Sequence, residues 1–467
     1  MSSAVPSAPA GSDPLLGPLP SELPTVERRA TIAAGLAAGA TTAGIKASGR
    51  PDLAVIVTTG EPAAAAAVFT RNAFAAAPVK LSQAHLAASV SPVGDGRSGW
   101  ARAIIATSGS ANAATGAAGE EDQLEIANEL ANTVGIPVAS TLLLSTGLIG
   151  TRLPLDKVRA GLRELWASGV AATDEALEAA AVALRTTDST TKIATVALTL
   201  PGLDAEPVAV RVTGIAKGVG MIHPRMATML AVVLTDANVE PTVLLGLLRP
   251  AAARTWDQLS VDGDTSTNDT VFVLASGAAG TAPLAADSEA AAAFGGALEA
   301  VARDLARQQA ADGEGATTLV TCQVSGASYD AEARAVARAV VSSSLVKAAA
   351  HGRDPNWGRI AGAAGNARLA DRPVLEASGM EETDATRLAG QPVGLDPDRL
   401  RIAIAGQLVF DGNMGGPVDF DREAARTAMD APEVLIRLDL GLGQGSGEAF
   451  GCDLTEAYVI ENSEYTT

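Results

Sequence analysis

The fold of this 467-residue chain is decided between Lys217 and Asp236, where the sequence reads KGVGMIHPRMATMLAVVLTD. Two glycines and a proline make the first half a loop, and the apolar, β-branched second half predicts a buried strand. Thr228 stands where the two halves meet, directly after the small residue Ala227. A hydroxyl held there can attack the preceding carbonyl and cut the chain, which leaves Thr228 with a free α-amine beside its own hydroxyl. The residues alone also allow a simpler interpretation, in which Thr228 is an ordinary strand threonine.

Further blocks of sequence accompany this segment from end to end of the chain. They are Gly44–Lys46, Val68–Asn72, Ala77–Val79, Ser145–Gly150, Ser260–Thr270, Asp312–Ala316, Val346–Lys347, Asp354–Arg359, Gly451–Thr455 and Asn462–Thr467. In this order, and together with the segment quoted above, they resemble the ornithine acetyltransferase family. Members of that family are the self-cleaving glutamate N-acetyltransferases of arginine biosynthesis. The resemblance extends over about residues 30–467, so it is far more specific than any single motif.

The resemblance implies an α/β fold, a layered α/β/β/α sandwich with a smaller C-terminal α/β domain. Alternating strand and helix signals along the chain favour the same α/β or α+β class. We expect a disordered extension at residues 1–27, because this stretch is rich in Ser, Pro and Ala. A catalytic domain at 28–325 would contain the cleavage site, and a C-terminal domain at 326–467 would return its tail to the active site.

Hydrophobic periodicity predicts many of the individual elements. Short apolar runs predict buried strands at 52–58, 102–107 and 142–144, and helical spacing predicts helices at 121–134, 155–168, 174–185 and 330–350. In the first helix, Leu124, Ala127, Ala131 and Val134 would share one buried face. Near the C-terminus, the glycine-rich stretch 441–447 predicts a wide turn, and 454–460 predicts a strand.

The chemistry implied by the family centres on Thr228, which would take an acetyl group while its own α-amine accepts the proton. The matching oxyanion hole would consist of Thr146 and Gly147, although these residues alone suggest only a strand-to-loop turn. Cleavage between Ala227 and Thr228 would give chains of 227 and 240 residues. The resemblance implies that these chains assemble as a heterotetramer of two α and two β chains.

The family pattern places substrate contacts at six positions in this sequence. They are Thr186, Lys217, Thr228, Glu314, Asn462 and Thr467. Lys217 would pair with a substrate α-carboxylate, and Glu314, between two glycines, would pair with the side-chain ammonium of ornithine. Without the resemblance, Lys217 is a solvated lysine and 312–315 a simple turn. The implied reaction moves acetyl from N-acetylornithine to glutamate without a cofactor, and the sequence leaves open whether acetyl-CoA is also a donor.

Composition excludes several other classes of protein. A net charge of −19 and an aromatic content of 3% disfavour nucleic-acid binding. The sequence contains no apolar run long enough to cross a bilayer and no basic start followed by an apolar core, so we expect neither a membrane span nor a secretory signal. Two cysteines, Cys322 and Cys452, cannot form a disulfide framework and fit a reducing cytoplasm.

Two segments imitate known ligand-binding motifs. The loop that starts at Asp262 opens like a calcium loop, but Thr267 replaces the required glycine and Val273 the bidentate glutamate. The 441–447 stretch has Ser446 in place of the last glycine of a dinucleotide fingerprint. The three histidines have no metal-ligand spacing, so we predict neither a metal nor a cofactor.

Two alternatives to acetyl transfer follow from the same residues. With water as the acceptor, the protein would be a self-processing aminopeptidase or amidase. Without cleavage it would be a non-catalytic binding protein. Departures from the family pattern at Thr107–Ala113, at Thr187–Ser189 and at Arg225 concern the choice of donor and acceptor rather than the chemistry itself.

Overall fold

The computed structural model describes residues 23–204, 206–223 and 229–464. Three predicted site residues lie outside these ranges: Ala227, Thr228 and Thr467. Of the predicted extension, residues 1–22 also lie outside. Residues 23–27 belong to the described fold, and Glu27 exchanges two backbone hydrogen bonds with Thr195, both 2.8 Å long.

The strands, numbered in chain order, make up the framework of the molecule. They are β1 (Leu36–Thr41), β2 (Leu53–Thr58), β3 (Ala63–Phe69), β4 (Ser98–Ala101), β5 (Ala103–Ser110), β6 (Thr141–Leu148), β7 (Lys192–Pro201), β8 (Pro207–Lys217), β9 (Leu230–Thr235), β10 (Leu259–Ser260), β11 (Thr270–Ala275), β12 (Leu319–Ala327), β13 (Arg401–Ile404), β14 (Gln407–Asp411), β15 (Gly416–Pro417), β16 (Glu433–Asp439) and β17 (Gly445–Cys452).

The helices connect and cover these strands. They are α1 (Ala77–Ala88), α2 (Gly116–Val134), α3 (Leu155–Ser168), α4 (Asp174–Leu184), α5 (Pro241–Arg254), α6 (Glu289–Ala311), α7 (Asp330–Ser342), α8 (Ser344–His351), α9 (Trp357–Gly365), α10 (Arg372–Ala377), α11 (Glu382–Leu388), α12 (Arg422–Ala428) and α13 (Glu456–Glu464). Short 3₁₀ turns occur at Val138–Ser140, Trp256–Gln258 and Gly412–Met414. Among the described residues, no helix is both long and apolar enough to cross a bilayer.

The chain forms two units. The larger unit comprises Leu23–Ala252 and Asp264–Gln309, and the smaller unit comprises Ala253–Gly263 and Ala310–Glu464. Residues 310–325, which the sequence-based division assigns to the catalytic domain, lie in the smaller unit. The division of the chain into functional domains at residue 325 stays a prediction.

In the larger unit, two sheets with strand orders β1-β2-β5-β6 and β4-β3-β11-β9-β8-β7 share a buried core. Strand β3 has the sequence AAAAAVF and contributes small side chains to that core. Helices α2 and α3 cover the opposite face of the four-stranded sheet. Helix α6 covers the six-stranded sheet, since Val301 and Leu305 lie against Gly214 of β8. The predicted α/β class and its α/β/β/α layering are confirmed.

Strands β8 and β9 enclose the segment that carries the proposed cleavage site. They pair antiparallel, with Lys217 opposite Leu230 and Val212 opposite Thr235. Every residue of β9 is buried, as the apolar sequence after Thr228 predicts. The segment that begins after Lys217 therefore returns to its partner strand at Leu230, and both of its ends are fixed in one sheet.

The smaller unit contains a mixed sheet with strand order β10-β17-β12-β16-β13-β14-β15. Helices α7, α8 and α9 supply buried residues to the same core as this sheet. The unit is therefore a second α/β layer structure with a hydrophobic core of its own.

Two predicted elements of the smaller unit are wrong. The helix expected at 330–350 is interrupted at Ser343, whose hydroxyl accepts a hydrogen bond from the amide of Val346 and caps α8. The strand expected at 454–460 is the helix α13. Its start is fixed by the hydroxyl of Thr455, which accepts from the amide of Tyr458 at 3.2 Å.

Candidate active site

An irregularity between β5 and β6 shapes the predicted oxyanion hole. The parallel pairing of these strands shifts register at Ser110, which is opposite both Thr146 and Leu148. Gly147 has φ +130°, and a Cβ there would lie 2.6 Å from the Ser110 nitrogen. Only glycine fits so close to β5. Such a bulge turns the local backbone and re-aims its groups, as bulges near active sites commonly do.

Lys217, the last residue of β8, contacts Thr146 directly. Its Nζ donates a hydrogen bond of 3.2 Å to the Oγ1 of Thr146, and both residues are buried. The backbone of Lys217 is also held, because the buried amide of Gln309 donates to its carbonyl at 2.8 Å. Two blocks that are far apart in sequence, Ser145–Gly150 and the segment starting at Lys217, thus meet at this hydrogen bond.

A buried carboxylate lies behind this contact. Asp188 accepts hydrogen bonds from the amide of Thr186 at 3.0 Å and from the amide of Gly218 at 2.8 Å. It also forms a fully buried ion pair with Lys192, with 2.7 Å between Nζ and Oδ1. Burial alone would raise the pKa of Asp188, but the positive charges of Lys217 and Lys192 and the hydrogen bonds lower it overall. Asp188 is therefore ionised and ties together two predicted substrate contacts.

A further cationic side chain, that of Lys46, lies near this cluster. Lys46 donates to the carbonyl oxygens of Pro51 at 2.7 Å and Ala183 at 3.3 Å. Burial, followed by the charges of Arg50 and Lys217, lowers the pKa of Lys46 to about 8. This crowding of cations makes the region favourable for a ligand carboxylate.

The start of β9 is anchored next to the predicted nucleophile. Met229, the residue bonded to Thr228, donates its amide hydrogen to Oδ1 of the buried Asp269 at 3.0 Å. The side-chain amide of Asn268 donates to the carbonyl of Ser145 at 2.8 Å. The neighbouring residues Asn268 and Asp269 therefore fix Ser145, which precedes Thr146, and Met229, which follows Thr228.

In the smaller unit, the structure brings Glu314 and Asn462 together. The side-chain amide of Asn462 donates to Oε2 of Glu314 at 3.0 Å. Gly315 has φ +66°, and a Cβ there would lie 2.7 Å from the carbonyl carbon of Ala457 in α13. The close approach that the glycines of this motif allow thus brings α13, and with it Asn462, to the turn.

Three carboxylates lie near one another at this turn. Burial and the charges of Glu314 and Asp312 raise the pKa of Glu461. The repulsion among these groups would fall when a cation binds, which suits the ammonium contact predicted for Glu314. Within the parts of the chain that the structure describes, no group of three or more metal-ligating side chains is found.

The described site residues fall into two groups. Thr146, Gly147, Thr186 and Lys217 lie in the larger unit, and Glu314 and Asn462 lie in the smaller unit. The sequence analysis gave no role to Asp188 or Lys192, because their ion pair lies outside any helix, where spacing alone does not predict a contact. It also missed Asn268 and Asp269, although both lie in the quoted block Ser260–Thr270.

Comparison with known proteins extends over both units. The family model described as "ArgJ family" matches residues 37–467, nearly the whole chain. The chain belongs to the ArgJ family. This confirms the resemblance stated from the sequence, and it assigns both units of the chain to one family of proteins.

Relatives of this ArgJ chain carry two different names. The arginine biosynthesis bifunctional protein ArgJ of Thermus thermophilus is 44% identical over 93% of this chain and 98% of the relative. The glutamate N-acetyltransferase of Methanopyrus kandleri is 42% identical over 79% of this chain and 86% of the relative. A solved structure of ornithine acetyltransferase complexed with ornithine, from Mycobacterium tuberculosis, is 35% identical. It covers 43% of this chain and 98% of that chain, with a TM-score of 0.36.

Proposed function

We propose that this protein is a self-cleaving N-acetyltransferase of arginine biosynthesis that moves acetyl from N-acetylornithine to glutamate. Membership of the ArgJ family supports this reaction, as does the name glutamate N-acetyltransferase of the Methanopyrus relative. The name of the Methanopyrus relative favours an amine acceptor over water. The transferase is therefore preferred to an aminopeptidase.

A single observation carries the proposal: the 3.2 Å hydrogen bond from Lys217 to Thr146. It joins the predicted oxyanion residue to the end of β8, where Lys217 pairs with Leu230, two residues after Thr228. A threonine hydroxyl for the oxyanion and a lysine for a carboxylate thus lie next to the strand that follows the nucleophile. Acyl transfer requires donors for the oxyanion, and substrates that are amino acids require a partner for their carboxylate.

The reaction that we propose takes place in two steps. The hydroxyl of Thr228 attacks the acetyl carbonyl, the α-amine of Thr228 takes the hydroxyl proton, and that proton passes to the departing ornithine nitrogen. Acetyl is then attached to Thr228 as an ester. The amine of glutamate attacks this ester, N-acetylglutamate leaves, and the threonine hydroxyl regains its proton. In both steps Thr146 and Gly147 would stabilise the negative oxygen.

The remaining site residues would bind the substrates. Lys217 and Thr186 would bind the α-carboxylate of either substrate, while Glu314, with Asn462 beside it, would bind the ornithine ammonium; Thr467 would contribute from the tail. The cut chains would form an α₂β₂ heterotetramer. We assign the enzyme to the cytoplasm, because Cys322 and Cys452 are both free thiols.

Self-cleavage is tested first, on denaturing gels and by N-terminal sequencing. The purified protein should give two fragments, the second starting Thr-Met-Leu-Ala. T228A should remain a single inactive chain, because alanine has no nucleophile. The matched control T228S keeps a hydroxyl and should still cleave. A single uncut but active wild-type chain would contradict the proposal.

Activity is tested with glutamate and either N-acetylornithine or acetyl-CoA, with mass spectrometry of the products. Acetylglutamate formed from N-acetylornithine supports the proposed reaction, and acetylglutamate formed from acetyl-CoA adds the second donor. Release of free acetate without acetylglutamate would instead identify a hydrolase. Ligand binding without turnover by an uncut chain would identify a binding protein.

A further inference from the structure

Asp188 holds two separate parts of the larger unit at fixed positions. One of its oxygens accepts from the amide of Thr186, and the other accepts from the amide of Gly218 and from the Nζ of Lys192. Both charged side chains of the ion pair are fully buried. Breaking a buried pair by removing one partner is costly, so this arrangement resists local movement.

Lys217 transmits the effect of Asp188 to the oxyanion hole. The amide of Gly218 fixes the peptide that joins it to Lys217, and the positive charge of Lys217 helps to lower the pKa of Asp188. A lysine ammonium can only donate hydrogen bonds. In the bond to Thr146, the hydroxyl oxygen is therefore the acceptor. The hydrogen of that hydroxyl remains available for another acceptor, such as the oxygen that becomes negative during acyl transfer.

Lys192 is the second cation that interacts with Asp188, and it offsets part of the charge that acts on Lys217. It is the first residue of β7 and pairs with Ala216, the neighbour of Lys217. Because Lys192 balances the carboxylate, Asp188 can orient Lys217 without cancelling its positive charge. Without Lys192, the negative charge of Asp188 would no longer be balanced, and its stronger net pull would draw the Lys217 ammonium away from Thr146.

We infer that Asp188 is a positioning residue of the oxyanion hole: through Lys217 it turns the hydroxyl of Thr146 so that this group donates to the reacting oxygen. The inference rests on the proposed acetyl transfer. It assigns a role in the reaction to a buried ion pair that the sequence analysis did not single out.

The test is a double-mutant cycle with D188N and T146V, measured as kcat and KM for acetyl transfer from N-acetylornithine to glutamate. Removing an oxyanion donor with T146V should lower kcat roughly 100- to 1000-fold. D188N leaves the hydroxyl present but misoriented, so a loss of roughly 10- to 100-fold is expected. Because the contact acts in the transition state, kcat and kcat/KM should fall together.

The combined variant decides the question. If Asp188 acts through Thr146, then adding D188N to T146V should change kcat by less than about threefold. If D188N lowers kcat by the same factor in the wild-type protein and in T146V, the inference is overturned. So would a D188N variant whose KM rises while kcat is unchanged, because that result assigns Asp188 to substrate binding alone.

A matched control is available at the other end of the same strands. Asp236 is also buried and accepts backbone amides, from Arg211 at 2.9 Å and from Ala34 at 3.3 Å. D236N should leave kcat unchanged even where it lowers the melting temperature. A kcat loss in D236N equal to that in D188N would show that any buried carboxylate has this effect, and would overturn the inference.

Folding and function can be separated in the same experiment. If D188N fails to fold because Lys192 loses its carboxylate partner, D188N/K192M removes both buried charges together and takes its place in the cycle. The same rule applies: no additivity with T146V supports the inference, and full additivity refutes it. Absence of transfer by the wild-type protein would instead refute the proposed function, and the inference with it.

Discussion

Replacing Gly147 by alanine tests whether the bulge between β5 and β6 controls catalysis. The new Cβ would lie 2.4 Å from the carbonyl carbon of Gly109 and 2.6 Å from the nitrogen of Ser110, whereas ordinary contact begins near 3.4 Å. The two strands must therefore separate by about 1.0 Å, the difference between 3.4 Å and 2.4 Å. The position also has φ +130°, where side chains other than glycine's hydrogen are strained. Gly150 offers a matched control: it has φ +80°, and a Cβ there meets nothing within 4 Å.

Magnitudes follow from this geometry. G150A costs about 1–2 kcal/mol for its left-handed backbone. G147A costs about 1–3 kcal/mol for a backbone conformation that is largely restricted to glycine, and it adds an overpacking cost of about 1–3 kcal/mol. A displacement near 1 Å of groups that must meet a reacting atom reduces the rate by roughly 100-fold. We therefore expect G147A to melt below G150A and to lose roughly 100-fold in kcat, while G150A keeps its rate.

The assay combines thermal unfolding with initial rates of acetylglutamate formation, each measured on fully cleaved protein so that processing and transfer are not confused. A G147A enzyme with a wild-type rate would refute the assignment of Thr146 and Gly147 to the oxyanion hole. A G150A enzyme that loses as much activity as G147A would show that backbone strain, rather than the close approach to β5, is responsible.

Two further predictions concern other parts of the molecule. G315A should push α13 away, because its Cβ would lie 2.7 Å from the carbonyl carbon of Ala457; we expect the KM for N-acetylornithine to rise, whereas the control G379A, with nothing within 4 Å of its Cβ, should leave KM unchanged. Burial lowers the pKa of His85 from 6.5, although the hydrogen bond to the Thr141 carbonyl opposes this. The unfolded chain therefore binds this proton more readily, and the stability that is present above about pH 6.5 declines as the pH falls toward the folded pKa. H85Q should remove this part of the acid sensitivity, measured as the change in urea midpoint between about pH 7.5 and pH 5, and an unchanged pH dependence in H85Q would contradict the prediction.

Much of the fold can be predicted from local sequence because its strands are short apolar runs. Strand β9 and helix α3 occur where the sequence analysis places them. Every residue of β9 is buried, and α3 buries Val158, Leu162 and Leu165 at helical spacing, so the apolar pattern of each element matches its burial. Helix α2 is found, but its buried face is partly wrong. Leu124 is 44% exposed while Ile126 and Leu130 are fully buried, because the buried face of α2 is set by the helix α3 and the sheet with which it shares a core.

The errors near the C-terminus have a different cause. Val459 and Ile460 are β-branched, so they suggest a strand, yet they are 62% and 60% exposed on α13. The cap at Thr455 outweighs this preference, because it satisfies a free amide at the start of the helix. A propensity read from side chains alone cannot detect such a hydrogen bond.

The candidate site was partly accessible from sequence. Family motifs supplied Thr146, Lys217 and Glu314, because those residues stand in distinctive blocks. Asp188 lies in Thr187–Ser189, which departs from the Thr-Asp-Thr pattern of the family, but that pattern assigns it no role. Its importance appears only when the amides of Thr186 and Gly218 converge on it in space. Long-range convergence of this kind depends on how β7 and β8 pair, which local periodicity does not encode.

The order of the six-stranded sheet has a consequence for the fate of a cut chain. Strands β3, β4, β7 and β8 precede residue 228, while β9 and β11 follow it, and the order β4-β3-β11-β9-β8-β7 places the later pair in the middle. The two fragments would therefore be joined by two strand pairings, β3 with β11 and β8 with β9. Neither fragment could dissociate without breaking both strand pairings, and neither contains all the strands of this sheet. Each mature pair must then descend from a single precursor, and halves produced separately should recombine poorly.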